Sequence, residues 1–132
     1  MKLQTTTTLP LLPTLVRLLE TELDQVVTVS GEGLILNFRD PQYSAESGGF
    51  HPVEMALDAS GRLLYITDFA YVGAGPYAEL CKELDFDFSC GVFQHRGRDY
   101  PLEEGAELFS IWQGNFCESV SWGVFKATHS VL

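Results

Sequence analysis

The sequence predicts an α+β domain: an antiparallel sheet of four to five strands, with an N-terminal and a C-terminal helix packed on one face. Three observations predict it. Two stretches, one near each end, repeat apolar residues at helical spacing. Between them lie segments that alternate apolar and polar residues with a period of two, separated by turn-forming residues. The length of 132 residues suits a single domain over 1–132 with one core, and no repeat or linker divides it.

Residues 1–8 end in four threonines and read as a loose tail. Pro13 then stands where a first helical turn tolerates it, and Leu12, Leu15, Val16, Leu19, Leu23 and Val26 form one stripe. Past Gly31 and Gly33 the period drops to two, with Leu34, Leu36 and Phe38 on one side of a strand and Ile35, Asn37 and Arg39 on the other. Val53, Met55 and Leu57 alternate with Glu54, Ala56 and Asp58, and the turn Asp58-Ala59-Ser60-Gly61 makes a hairpin with the next run. That run, Arg62 to Val72, is apolar on both faces except at Asp68, which predicts the central strand. Leu84, Phe86 and Phe88 alternate with Glu83, Asp85, Asp87 and Ser89, one face core and the other acidic and solvated. Gly91 marks a bulge or bend, and Gln94 to Arg98 begin a polar turn. Tyr100-Pro101 opens a second helix, with Glu103 and Glu104 at the positive end of its dipole and Leu108, Trp112, Phe116 and Val120 along one face. Gly123 ends it, and Val124 to His129 form a last strand.

Charge narrows the partners. Eighteen acidic against eight basic residues give a net charge of -10, which repels nucleic-acid backbones and anionic lipids. Three cysteines cannot all pair and show no metal-type spacing, which suits a reducing compartment without zinc. Pro10, Pro13 and Arg17 interrupt the apolar start, and no apolar run reaches the roughly 20 residues of a membrane span. The expectation is a cytoplasmic protein with no membrane or nucleic-acid partner and no cofactor or metal.

The segment Asn37 to Glu54 is the most informative stretch, and it has a structural account, in which Asp40-Pro41 and Gly48-Gly49 make turns, Arg39 pairs with a neighbouring carboxylate and Phe50 pins the loop to the core, beside a functional one. It packs charge, aromatic rings, two prolines and a glycine pair between two apolar runs, the composition of an ordered, built loop. We expect a small non-catalytic binding module that uses this loop and the adjacent sheet face, with Arg39, Asp40, Tyr43, Glu46, His51, Asp68 and Tyr71 recognising a protein or a small ligand. The alternative is a small hydrolase with His51 as general base, acting on Ser47 or a water and oriented by Asp68 or Asp40. No nucleophile-elbow context supports it, so an enzyme is the weaker expectation. A homodimer through a sheet edge or the aromatic row Tyr65, Phe69 and Tyr71 is a third arrangement the pattern allows. Gly73, Gly75 and Ala78 fit a relaxed phosphate-loop spacing, but Pro76 deletes an amide donor there. Asp85 and Asp87, with His95, offer oxygen and nitrogen ligands for a cation, though a solvated strand face accounts for the two acids.

The phrases NFRDPQYSAESGGFHPVE, LLYITDFAYVG, ELDFDFSCGVFQ and IWQGNFC, in that order, resemble the bacterial domain family of unknown function DUF2787 from about Leu34 to Val124. The resemblance implies a bacterial, intracellular protein. It brings no activity, cofactor or catalytic residue.

Overall fold

The computed structural model describes residues 1–27 and 31–132. Helix α1 (Pro13–Asp24) precedes six strands: β1 (Leu34–Arg39), β2 (Val53–Leu57), β3 (Leu63–Val72), β4 (Glu79–Asp87), β5 (Val92–His95) and β6 (Arg98–Pro101). Helix α2 (Ala106–Ser121) and strand β7 (Lys126–Val131) follow. The strands form one antiparallel sheet in the order β6-β5-β4-β3-β2-β1-β7, so α2 carries the chain from one edge back to the other.

The α+β class, the antiparallel sheet and the central place of β3 agree with the sequence. The strand number does not, because the described residues form seven strands rather than four to five. The added pair is the β5–β6 hairpin, in the stretch Gln94 to Arg98 that reads as a plain polar turn. Its two-residue loop is Arg96-Gly97, with φ of +50° and +81°, the left-handed geometry that matches strand twist. Tyr100 and Pro101 accordingly close a strand instead of opening a helix. A 3-10 turn over Leu102–Gly105 leads into α2.

Period two separates the faces. Leu36, Met55, Ile66, Phe86 and Phe93 are successive cross-strand partners and all are buried. Leu15, Leu19 and Leu23 of α1 and Phe109, Trp112 and Phe116 of α2 complete the same core. Each large apolar side chain buried this way contributes about 1.5–3 kcal/mol. The opposite row, Asn37, Glu54, Thr67, Asp85, Gln94 and Asp99, is polar. Asp85 departs from the solvated face expected of it: it is 8% exposed, accepts the Thr67 hydroxyl at 2.7 Å, and burial raises its pKa. Tyr65 donates its hydroxyl to Glu54 at 2.6 Å, and burial holds that phenol well above its ordinary pKa.

The helices are tied together by a residue outside the predicted stripe. Gln113 is fully buried; its Oε1 accepts the Leu12 N–H at 2.7 Å and its Nε2 donates to Pro10 O at 3.1 Å. Leu12 is the N-cap of α1 and has no capping side chain of its own, so α2 supplies the missing acceptor. The segment expected as a tail is also engaged. Leu3 is buried, Gln4 N donates to Gly61 O at 3.0 Å, and Gly61, at φ +86°, lies so close to Lys2 that a Cβ there would stand 1.9 Å from its carbonyl oxygen.

Candidate functional site: a His–Asp cleft beside helix α2

β3 is longer than its neighbour β2, and the difference makes the site. The last rung between them is Val53 opposite Asp68. Beyond it the loop over 40–52 takes over: Phe69 N donates to Pro52 O at 2.9 Å, and Tyr71 N donates to the Tyr43 hydroxyl at 3.1 Å. Loop and strand are thereby held as if the sheet continued.

Asp40 organises the loop from within. Its Oδ1 accepts the Gln42 N–H at 2.9 Å, its Oδ2 the Phe50 N–H at 3.1 Å, and its carbonyl the Tyr43 N–H at 3.0 Å. Ser44 and Gly48 exchange backbone bonds, and Gly49, at φ +134°, passes so near Asp40 that a Cβ would sit 2.8 Å from Oδ2. Phe50 packs edge-on against Phe125 and Trp122, each at 6.1 Å between ring centres.

Asp68 shares the parity of Ile66 and so lies on the helix-covered side of β3. Its Oδ1 takes a bond from His51 Nδ1 at 2.8 Å and its Oδ2 one from the Trp112 indole N–H at 2.9 Å. Facing a carboxylate, Nδ1 carries the proton, and Nε2 has no partner among the described residues. The bond to Asp68 raises the His51 pKa; burial works against that, and the Asp68 charge adds to it. His51 is 41% exposed at its side chain and Asp68 13%, so the imidazole is accessible while its anchor is not.

A cavity of about 300 Å³ opens beside this pair. Trp112, Asn115, Phe116 and Ser119 enter it from one face of α2, Gly49, Phe50 and His51 from the loop, and Val53, Asp68 and Phe125 complete the wall. The arrangement is an aromatic enclosure with an oriented imidazole, an amide and a hydroxyl.

Of the residues predicted as a site, His51 and Asp68 line the cavity, and Tyr43 and Tyr71 lie next to His51 outside that lining. His51 bonds Asp68, and the Tyr43 ring lies 5.6 Å from His51 and 5.3 Å from Tyr71, stacked on the latter. Asp40 shapes the loop instead of facing the cleft. Glu46 is exposed at the loop tip, and Arg39 is exposed at the end of β1 opposite Lys126, in no ion pair among the described residues. Ser47 does not reach His51; its hydroxyl lies 2.6 Å from Ser44 Oγ and 3.3 Å from Gln42 O. His95 pairs with Leu84 on the opposite parity from Asp85 and Asp87, so those three are not gathered, and no cluster of three or more metal-type ligands occurs among the described residues. The glycines at 73 and 75 lead into a 3-10 turn of three residues, Gly75–Tyr77. Trp112, Asn115 and Ser119 line the cleft without being marked as site residues by the sequence. Their spacing along α2 was visible, but a tryptophan in an apolar stripe reads as core, and only the fold brings its N–H to Asp68.

Fold and site together define a small α+β protein built on one antiparallel sheet, with a His–Asp cleft between a β-crossover loop and a helix. The chain belongs to the family described as "Protein of unknown function (DUF2787)", whose model matches residues 13–130 and so takes in α1 and most of β7 beyond the stretch from Leu34 to Val124. Among solved structures it is similar to the hypothetical protein VC0508 from the VSP-II pathogenicity island of Vibrio cholerae, at 38% identity and a TM-score of 0.82, covering 96% of this chain and 98% of that one. It is also similar to the conserved hypothetical protein VC1805 from pathogenicity island VPI-2 of Vibrio cholerae O1 biovar eltor, at 36% identity and a TM-score of 0.80, covering 95% and 98%. That second protein is described as sharing structural homology with the human P32 protein. No curated protein matches the chain. No helix among the described residues is long and apolar enough to cross a membrane.

Proposed function

We propose that this protein is a non-catalytic binding module whose site is the cleft between the 40–52 loop and α2. The observation that carries this reading is the chain of bonds from Trp112 through Asp68 to His51 beside a cavity of about 300 Å³. A polar relay fixed from behind and open at one nitrogen presents a donor or acceptor of defined direction, and the surrounding rings supply apolar contact. The matching ligand is small, with a flat apolar body and an acceptor head such as a carboxylate, which the Asn115 amide can address and which His51 can address once its Nε2 also carries a proton, a form that the bond to Asp68 favours.

Calorimetric titration with a panel of small aromatic carboxylates, alcohols and amines tests it. Carboxylates are expected to bind at roughly millimolar or better, the amines not to bind, and His51→Ala or Asn115→Leu to abolish the signal. Equal weak binding across the panel, unchanged in both variants, would reject the reading.

One observation favours a second reading. The Asp68-oriented imidazole with Nε2 free is also the geometry of a general base. With Ser47 turned away, the nucleophile would be a water, and turnover of an activated aryl ester that disappears in His51→Ala would decide for hydrolysis.

A further inference from the structure

Every polar side chain in the cleft wall but one has a settled role or serves donors and acceptors alike. Both Asp68 oxygens are taken, one by His51 Nδ1 at 2.8 Å and one by the Trp112 indole at 2.9 Å, and an indole has no second N–H. Ser119 Oγ donates to the Asn115 backbone carbonyl at 2.9 Å and keeps an acceptor oxygen, while the Asn115 amide carries a donor and an acceptor on one pivot. The exception is His51 Nε2, the nitrogen left over by the bond to Asp68. Unprotonated, it only accepts a hydrogen bond; protonated, it only donates one, and the ring becomes positive. Of the ionisable groups facing the ring, Asp68 comes from β3, Glu83 from β4 with its carboxylate 3.2 Å from Arg96 Nε, and Tyr43 from the loop at 5.6 Å between ring centres. Helix α2 contributes Trp112, Asn115, Phe116 and Ser119 to the wall, none of them ionisable in this range. Among these residue types the imidazole is the one whose charge ordinarily changes between pH 5 and 8.

We propose that the protonation of His51 selects between two classes of ligand in this cleft: flat acceptors such as aromatic carboxylates when Nε2 carries a proton, and flat uncharged N–H donors when it does not. The proposal rests on the cleft being the ligand site proposed above, and names what regulates it. The aromatic walls give both classes the same apolar contact, so discrimination falls to the head group. A mismatched head group sets N–H against N–H or lone pair against lone pair, and leaves a polar group unsatisfied beside the rings. The donor is uncharged because neither Asp68 oxygen is left to pair with a cation. Trp112 fixes the direction of the relay: its N–H occupies one acceptor on residue 68, and the carboxylate's second acceptor is what keeps the neutral ring's proton on Nδ1 and Nε2 bare. The bond to Asp68 raises the His51 pKa, so the exchange between the two classes falls above the ordinary 6.5.

Calorimetric titration of the full chain from about pH 5.5 to about 8.5, with benzoate as the acceptor and indole as the uncharged donor, tests it. Above the His51 midpoint benzoate affinity should fall by about tenfold per pH unit, and below that midpoint indole affinity should fall at the same rate. Buffers of different ionisation enthalpy should show a proton taken up with benzoate above the midpoint and one released with indole below it. His51→Gln, whose amide can turn either way, should make both affinities independent of pH. Asp68→Asn gives the sharper check. The carbonyl of the new amide must face the Trp112 N–H, which turns its NH2 toward His51 Nδ1 and moves the neutral ring's proton to Nε2. Indole should then be lost at every pH while benzoate binding persists into the alkaline range. Parallel profiles for the two ligands, indole that binds the wild type at no pH, profiles that stay sloped in His51→Gln, or indole binding that survives Asp68→Asn would each overturn the proposal while benzoate binding leaves the cleft a ligand site. Neither ligand binding at any pH overturns both readings together.

Discussion

At the scale of the residue, the cleft depends on how Asp68 divides its two oxygens. One orients His51 and the other holds Trp112, so neither helix nor loop can shift without breaking a bond to a carboxylate that is mostly shielded from water. Because Asp68 raises the His51 pKa while burial lowers it, Asp68→Asn should drop the His51 midpoint below the ordinary 6.5, measurable by NMR titration of the ring protons. The sign of the linkage follows. His51 gains its proton more readily when folded, so the pair's stabilisation is complete below about pH 6.5 and is lost as pH rises through the raised folded value. Solvent screening at the half-exposed imidazole keeps that contribution under about 1 kcal/mol, visible as a small loss of urea midpoint between neutral and alkaline pH in the wild type and absent in Asp68→Asn. Tyr43 makes a parallel case. Tyr43→Phe removes the acceptor of the Tyr71 N–H and should speed hydrogen exchange of that amide by roughly fivefold, the equivalent of about 1 kcal/mol.

At the scale of the element, each segment was legible in proportion to how locally its structure is determined. The helix α1 stripe, the β2–β3 hairpin and the alternation of Leu84, Phe86 and Phe88 are set by neighbours in sequence, and each appears where the pattern placed it. The β5–β6 hairpin was not legible, since His95, Arg96, Gly97 and Arg98 are polar and only two positive φ angles turn them into a hairpin rather than a loop. Gln113 was invisible for another reason: its value lies in Pro10 and Leu12, about a hundred residues away. Gln113→Leu leaves the Leu12 N–H and Pro10 carbonyl without partners and should cost about 2 kcal/mol in denaturant unfolding. Gly61→Ala meets both a left-handed backbone and the Lys2 carbonyl, and should destabilise by about 2 kcal/mol or more, with the N-terminal segment released from the turn.

At the scale of the whole molecule, the sheet presents two surfaces of opposite character, and the proposed cleft lies on the helix-covered one. Helices bury one face, polar residues bonded to one another cover the other, and the 40–52 loop closes the open end of β3 between them. The 40–52 loop and Asp68 were legible as an ordered polar segment beside an apolar strand, because charge, rings and turn residues are concentrated there. The far wall of the cleft was not, since Trp112, Asn115 and Ser119 belong to a helix whose pairing with β3 is a long-range event. The central claim is that this cleft recognises a ligand through His51. The most direct measurement follows the Trp112 indole and His51 ring resonances while benzoate is added, with benzylamine as the control. Saturable shifts of both resonances with benzoate alone, with the His51 pKa raised further in the complex, are the predicted result. Resonances that stay in place to about 10 mM benzoate, or move equally with both compounds, would contradict it.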